Sequence, residues 1–145
     1  MICRHIVIHH SATDDTRHNN WESIRKFHTQ ERGWKNIGYH AGIEIEQGVW
    51  RIRYGRKLTE NGAHCPGMNT TAAGFCFVGN FTHDPPPLSM LQVACKKWII
   101  PTMLAHGITK DNIFFHREKR QTECPGNAFD KELLLYVLED ALNAY

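Results

Sequence analysis

The sequence predicts an α/β fold: a single domain whose mixed central β-sheet carries helices on both faces. Three observations lead there. Short β-branched runs alternate with amphipathic stretches along the chain. Two of the runs meet in a hairpin, which adds an antiparallel pair to strands otherwise joined by helical crossovers. The length, 145 residues, suits one domain with a substantial core.

The elements follow in order. "RHIVIH", residues 4–9, reads as a short buried strand rich in β-branched residues. "WESIRKFHTQERG" places Trp21, Ile24 and Phe27 on one helical face, with Asn20 as N-cap and Gly33 as terminator. "YHAGIEIEQGVWRIRY", residues 39–54, alternates and breaks at Gln47-Gly48, a hairpin of two strands. Residues from Lys57 to Thr71 are loop, and "GFCFVGN" is another short strand. Ser89 with Gln92 has the spacing of a capping box, with Leu88 and Val93 as a hydrophobic staple. The helix they open runs toward Gly107, carries Leu91, Ala94, Cys95 and Trp98 on one face, and should kink at Pro101. "NIFFH" is a strand, and "DKELLLYVLEDALNAY" a closing amphipathic helix capped by Asp130.

Composition excludes some functions. The apolar and charged fractions, 41% and 22%, are those of an ordinary folded chain. A net charge of +2 with no basic run argues against a dedicated nucleic-acid binder. No apolar stretch approaches the roughly 18 residues of a membrane span, so no stable membrane association is expected. The start, "MICRHIVIHH", has neither an apolar h-region nor a small-residue cleavage site, which predicts a cytoplasmic product. Five cysteines at irregular spacing read as core thiols and metal ligands, not a disulfide framework.

The chemistry concentrates at two ends of the chain. Zinc favours imidazole and thiolate donors, and a catalytic site uses three of them with a fourth position open. His9 or His10, at the end of the first strand, can supply one ligand. His116 can supply a second, and Cys124, after a seven-residue loop, can fold back as the third, with Pro125-Gly126 setting the turn. Spacing alone equally accommodates histidines in structural hydrogen bonds and a buried Cys124 thiol.

The segments "IVIHHSAT", "GWKNIGYHAGI", "GAHCPGMN", "GFCFVGNF" and "HREKRQTECPG" resemble, in order and spacing, the type-2 N-acetylmuramoyl-L-alanine amidases. That superfamily includes phage amidase-type lysozymes and the animal peptidoglycan recognition proteins. The resemblance spans nearly the whole chain and implies that residues 1–145 form one zinc-dependent catalytic domain. It selects His9 over His10 as the Zn²⁺ ligand, beside His116 and Cys124. It matches Tyr39 to the catalytic tyrosine, a neutral donor toward an oxyanion, and Thr122 to a second donor where phage enzymes carry lysine. His64 matches a histidine lining the substrate groove; His40, beside Tyr39 and on the opposite face of a regular strand, reads as structural. Cys76 stands where recycling amidases have a glutamate base.

The activity so implied is hydrolysis of the amide between the lactyl group of N-acetylmuramic acid and L-alanine of the stem peptide. Peptidoglycan or muropeptides are the expected partners. The route would be that of an endolysin, cytoplasmic until released to the wall. An RNA polymerase partner, known among phage relatives, is not expected, because the first strand begins almost at Met1. Two other readings are a non-catalytic peptidoglycan-binding module and a wall cysteine peptidase using Cys124 or Cys65.

Overall fold

Ile6, Val7 and Ile8 are all fully buried, which a strand achieves only inside a sheet covered on both faces. In the computed structural model, which describes residues 1–13 and 20–145, they belong to β1 (His5–His10). This strand pairs in parallel with β4 (Ala72–Phe77) on one side and β5 (Ile113–Phe115) on the other. The hairpin β2 (Ala41–Glu46) and β3 (Val49–Tyr54) extends the sheet beyond β4, giving the order β3-β2-β4-β1-β5. Only β2 and β3 run antiparallel. Their turn lies at Gln47-Gly48, with φ of 50° and 76°, the left-handed pair that matches hairpin twist.

Helix α1 (Trp21–Lys26) starts at a complete capping box: Asn20 Oδ1 accepts from Ser23 N–H at 2.8 Å, and Ser23 Oγ accepts from Asn20 N–H at 3.3 Å. It continues through a π-helical turn, Phe27–Glu31, to Gly33 at φ 71°. Glu44, buried on β2, ties the helix to the sheet. Its Oε1 accepts Trp21 N–H at 2.9 Å and its Oε2 accepts Arg53 Nε–H at 2.6 Å.

The capping box expected at Ser89 does not form. Helix α2 (Leu88–Ala94) begins after Pro87, whose extended conformation (φ −56°, ψ 143°) serves as the N-cap without a side-chain bond. Ser89 lies inside the first turn, where its Oγ accepts Trp50 Nε1–H at 2.9 Å. Pro101 does perturb the helix. The chain widens into a π-helical turn, Cys95–Ile99, directly before α3 (Ile100–His106), because proline lacks an N–H and its ring crowds the preceding turn. Gly107 closes α3 at φ 66°.

β5 ends one residue short of the expected strand, and His116 opens the short helix α4 (His116–Lys119). Tyr39 and His40 likewise precede β2. The closing helix α5 (Lys131–Asn143) is capped as expected by Asp130, whose Oδ1 accepts Glu132 N–H at 2.9 Å.

The sheet divides the core. Ile6, Ile8, Phe75 and Phe77 face α2, α3 and α5, packing with Leu91, Trp98, Phe129 and Leu138; each such buried side chain is worth ~1.5–3 kcal/mol. On the other face α1 contributes Trp21 and Ile24 against Ile37 and Cys76, while Val7 packs with Cys65 and Ala72 under the 57–71 loop. Helices thus cover both faces. None of the described helices is long and apolar enough to cross a membrane.

Candidate metal centre

Alternation along β1 separates the two adjacent histidines. Ile6 and Ile8 point into the larger core, so His10 shares their face and Val7 and His9 share the other. His10 lies against Phe81, ring centroids 6.1 Å apart, and its Nδ1 accepts Phe81 N–H at 3.2 Å. His9, paired in register with Cys76, emerges on the α1 face near the carboxyl end of its strand. Ligand sites in open α/β sheets gather at such ends.

The neighbouring strand end supplies His116, whose ring centroid lies 4.5 Å from that of His9. The loop after α4 then brings Cys124 back, its Sγ 3.7 Å from His9 Nδ1. The fold of that loop is specified locally. Arg117 N–H donates to Cys124 O at 3.0 Å, and the Arg117 guanidinium donates to Gly126 O at 2.8 Å and Phe129 O at 3.0 Å while stacking on Phe115. Gly126, at φ 109°, passes so close to Phe81 that a Cβ would lie 2.4 Å from its backbone.

One donor atom each from His9, His116 and Cys124 lies within 4.8 Å of the others; among the described residues this is the one group of its kind. Two imidazoles and a thiol fit Zn²⁺, which binds such donors at ~2.0–2.3 Å and leaves a fourth position for water or substrate. His9 is buried, while His116 and Cys124 are half-buried and face a cleft of about 680 Å³.

Burial, aided by neighbouring His64, His116 and His10, holds His9 well below the usual histidine range. It is therefore a neutral imidazole, the form that binds metal. Burial pushes the Cys124 thiol up to about 11, against the opposing pull of His10 N–H and Arg117. That N–H reaches the sulfur at 3.4 Å. A bound dication would tip the balance to thiolate.

Tyr39 lines the same cleft, 5.2 Å from His9 between ring centroids. Burial and the nearby Cys76 and Cys124 raise its phenol well above the ordinary value, so it remains a proton donor. Thr122 stands exposed at the cleft. Its Oγ1 accepts Cys124 N–H at 3.2 Å, leaving its own O–H free to donate. Cys76 is fully buried beneath Tyr39 and its thiol is held far up by burial, so it offers no base. Cys65 is fully buried against Val7 and Ala72.

His64 lines the cleft but is 8% exposed, and both ring nitrogens are engaged: Nδ1 lies 2.9 Å from His9 Nε2 and Nε2 lies 3.0 Å from Ala72 O. His40 is structural, with Nε2–H donating to Glu60 O at 2.8 Å and Nδ1 accepting Gly74 N–H at 3.0 Å.

Several residues that line the cleft escaped the sequence reading, His28 and Arg32 among them. His28 accepts Gly38 N–H at Nδ1 (3.0 Å) and packs on Trp34 and Tyr39; burial, with Arg32 and Arg56, lowers it to about 4. Arg32 stacks over Phe27 and Trp34 at the cleft wall. The available signal was that His28, i+4 from Ile24 and i+7 from Trp21, falls on the apolar face of that helical stretch.

Comparison with known proteins identifies the family. Residues 1–127 match the N-acetylmuramoyl-L-alanine amidase family, and the chain belongs to it. It is 32% identical over 142 residues to peptidoglycan-recognition protein LB of Drosophila melanogaster, covering 89% of this chain and 57% of that protein. Thus it spans little more than half the length of that relative. Among solved structures it resembles the endolysin amidase LysCS from Clostridium intestinale URNW, with a TM-score of 0.76, 31% identity, and coverage of 95% of this chain and 84% of that one. It also resembles a mutant of Drosophila PGRP-LB in complex with tracheal cytotoxin, with a TM-score of 0.75, 31% identity, and coverage of 90% and 79%.

Proposed function

We propose that the protein is a zinc-dependent peptidoglycan amidase that cleaves the bond between the lactyl group of N-acetylmuramic acid and L-alanine. The observation that carries this reading is the placement of His9, His116 and Cys124 in one cleft with Tyr39 and Thr122. A recognition module needs the cleft but has no use for a three-donor set.

Zinc held by these three residues would supply Lewis acidity toward the amide carbonyl and toward water. The chain itself does the rest. His9 and His116 present neutral nitrogens, and His10 N–H supports the sulfur of Cys124. Tyr39 Oη–H and Thr122 Oγ1–H donate to the oxygen that gains charge as the carbonyl becomes tetrahedral. Each such donor is typically worth ~10²–10³-fold in rate. The cleft walls, including Trp34 and Asn69, hold the sugar and stem peptide, and one bound muropeptide per chain is the expected complex. Likeness to an endolysin amidase supports a lytic role.

Digestion of purified peptidoglycan, with mass spectrometry of the released ends, tests the proposal. Amidase action liberates L-alanine amino groups without new reducing sugar ends, stops on chelation and returns with zinc. Binding without release would instead establish a recognition module. Full activity after complete metal removal would favour a cysteine peptidase.

A further inference from the structure

We propose that His64 is a positioning residue: it holds His9 in the one tautomer that leaves Nδ1 free to bind a metal. The inference rests on the zinc reading above but is argued from hydrogen-bond geometry alone. Ala72 O, 3.0 Å from His64 Nε2, can only accept, so the His64 proton is on Nε2. His64 Nδ1 then presents a lone pair. The 2.9 Å contact to His9 Nε2 therefore requires His9 to donate from Nε2. A neutral imidazole carries a single N–H, so His9 Nδ1 is left as a lone pair, aimed where Cys124 Sγ lies at 3.7 Å.

The surroundings are shaped to hold the His64 ring in this position. A Cβ on Gly74 would fall 2.5 Å from His64 Cγ, and one on Gly62 would fall 2.5 Å from His64 Cδ2. Both positions admit the ring only because they are glycine. Asn69 Oδ1 pins the backbone beneath it, accepting His64 N–H at 2.8 Å and Cys65 N–H at 2.9 Å. The ring meets His9 edge-on, at 90° with centroids 5.0 Å apart. Ala72 begins β4, the strand paired with β1, so the relay is anchored to the sheet that carries His9. Partners of this kind behind a metal ligand raise its affinity for metal, and their loss typically costs ~10–100-fold.

The test begins with the metal-free wild-type protein, ¹⁵N-labelled at histidine. Two-bond imidazole correlations should show His9 and His64 both as Nε2–H tautomers. A His9 protonated on Nδ1 overturns the proposal, whether or not the protein proves to be an amidase. The second arm compares zinc affinity by chelator competition in folded His64→Leu and His64→Asn. Leucine removes the acceptor, and affinity should fall ~10–100-fold. Asparagine places Oδ1 where Nδ1 stood and should recover most of the loss. Wild-type zinc affinity in His64→Leu, with only KM raised, would overturn the positioning role in favour of substrate contact. Failure of the wild-type protein to bind zinc would count against the metal reading, and the tautomer measurement would still decide this one.

Discussion

Arg117 and Cys124 are joined backbone to backbone, N–H to O at 3.0 Å, and the Arg117 guanidinium clamps Gly126 and Phe129 further along the same loop. The third donor therefore sits on a loop whose shape is set by the turn following the second, His116.

Arg117→Lys should loosen this loop while keeping the charge. A lysine can reach one carbonyl but not fork to two, and it stacks less well on Phe115. The expected loss is ~1–2 kcal/mol of stability together with faster zinc release. Thermal unfolding and chelator competition measure the two effects. Unchanged zinc release would mean that the backbone bond alone holds Cys124.

The two adjacent histidines should part company on mutation. His9→Ala, His116→Ala and Cys124→Ser should each lower zinc content and abolish lysis. His10→Ala removes an acceptor for Phe81 N–H and should cost stability, ~1–3 kcal/mol for the orphaned group, with zinc retained. Elemental analysis of the purified variants decides. Loss of zinc in His10→Ala, with His9→Ala loaded, would reverse the ligand assignment.

Much of this arrangement was legible in the sequence, and the exceptions share a cause. β-branched alternation marks β1, and Gln47-Gly48 marks the hairpin, because both signals are local. The Ser89 cap was misread because Trp50, from another strand, takes its hydroxyl. The place of His64 behind His9 depends on room left by Gly62 and Gly74, and Gly74 meets that ring only when β4 lies beside β1. His28 shares the helical face of Trp21 and Ile24, at i+7 and i+4, but that spacing marks a packed residue and gives no sign of a cleft, which forms only where Trp34 and Tyr39 meet it.

Acid should destabilise the metal-free protein in a defined window. Burial, with Arg117 close to His10 and with Arg32 and Arg56 close to His28, lowers each folded value to about 4. Unfolded histidine titrates near 6.5. Between those values the unfolded chain binds protons that the folded chain does not, so stability is full above pH ~6.5 and drains away toward pH ~4. His10 and His28 share the slope with His9 and His64, which burial also holds low; buried His10 contributes on the order of 2–3 kcal/mol, and half-buried His28 less. Urea midpoints across that range measure it. His28→Asn keeps an acceptor for Gly38 N–H and should flatten the slope. An unaltered slope would remove His28 from the account.

Tyr39→Phe should leave zinc content intact and cut the rate by ~10²-fold or more, about 2.7 kcal/mol of transition-state stabilisation. Paired zinc analysis and kinetics on muropeptide give the answer. Full zinc with full rate would make Tyr39 a packing residue, held by His28, Trp21 and Cys76.

In the proposed mechanism Thr122 has two duties that mutation can separate. Its Oγ1 accepts Cys124 N–H, which steadies the ligand loop, and its O–H faces the cleft as a donor. Thr122→Ser keeps both and should behave as wild type. Thr122→Val removes both, so zinc affinity should weaken modestly while the rate in zinc-saturated enzyme falls ~10-fold or more. Thr122→Lys restores the residue type of the phage lysozymes. It loses the acceptor for Cys124 N–H but places a cation beside the developing oxyanion, where a charged donor makes the stronger hydrogen bond. Its zinc affinity should therefore resemble that of Thr122→Val while its rate exceeds it. Equal rates for Val, Lys and wild type at saturating zinc would show that Thr122 serves the loop alone and that the oxyanion depends on Tyr39 and the metal.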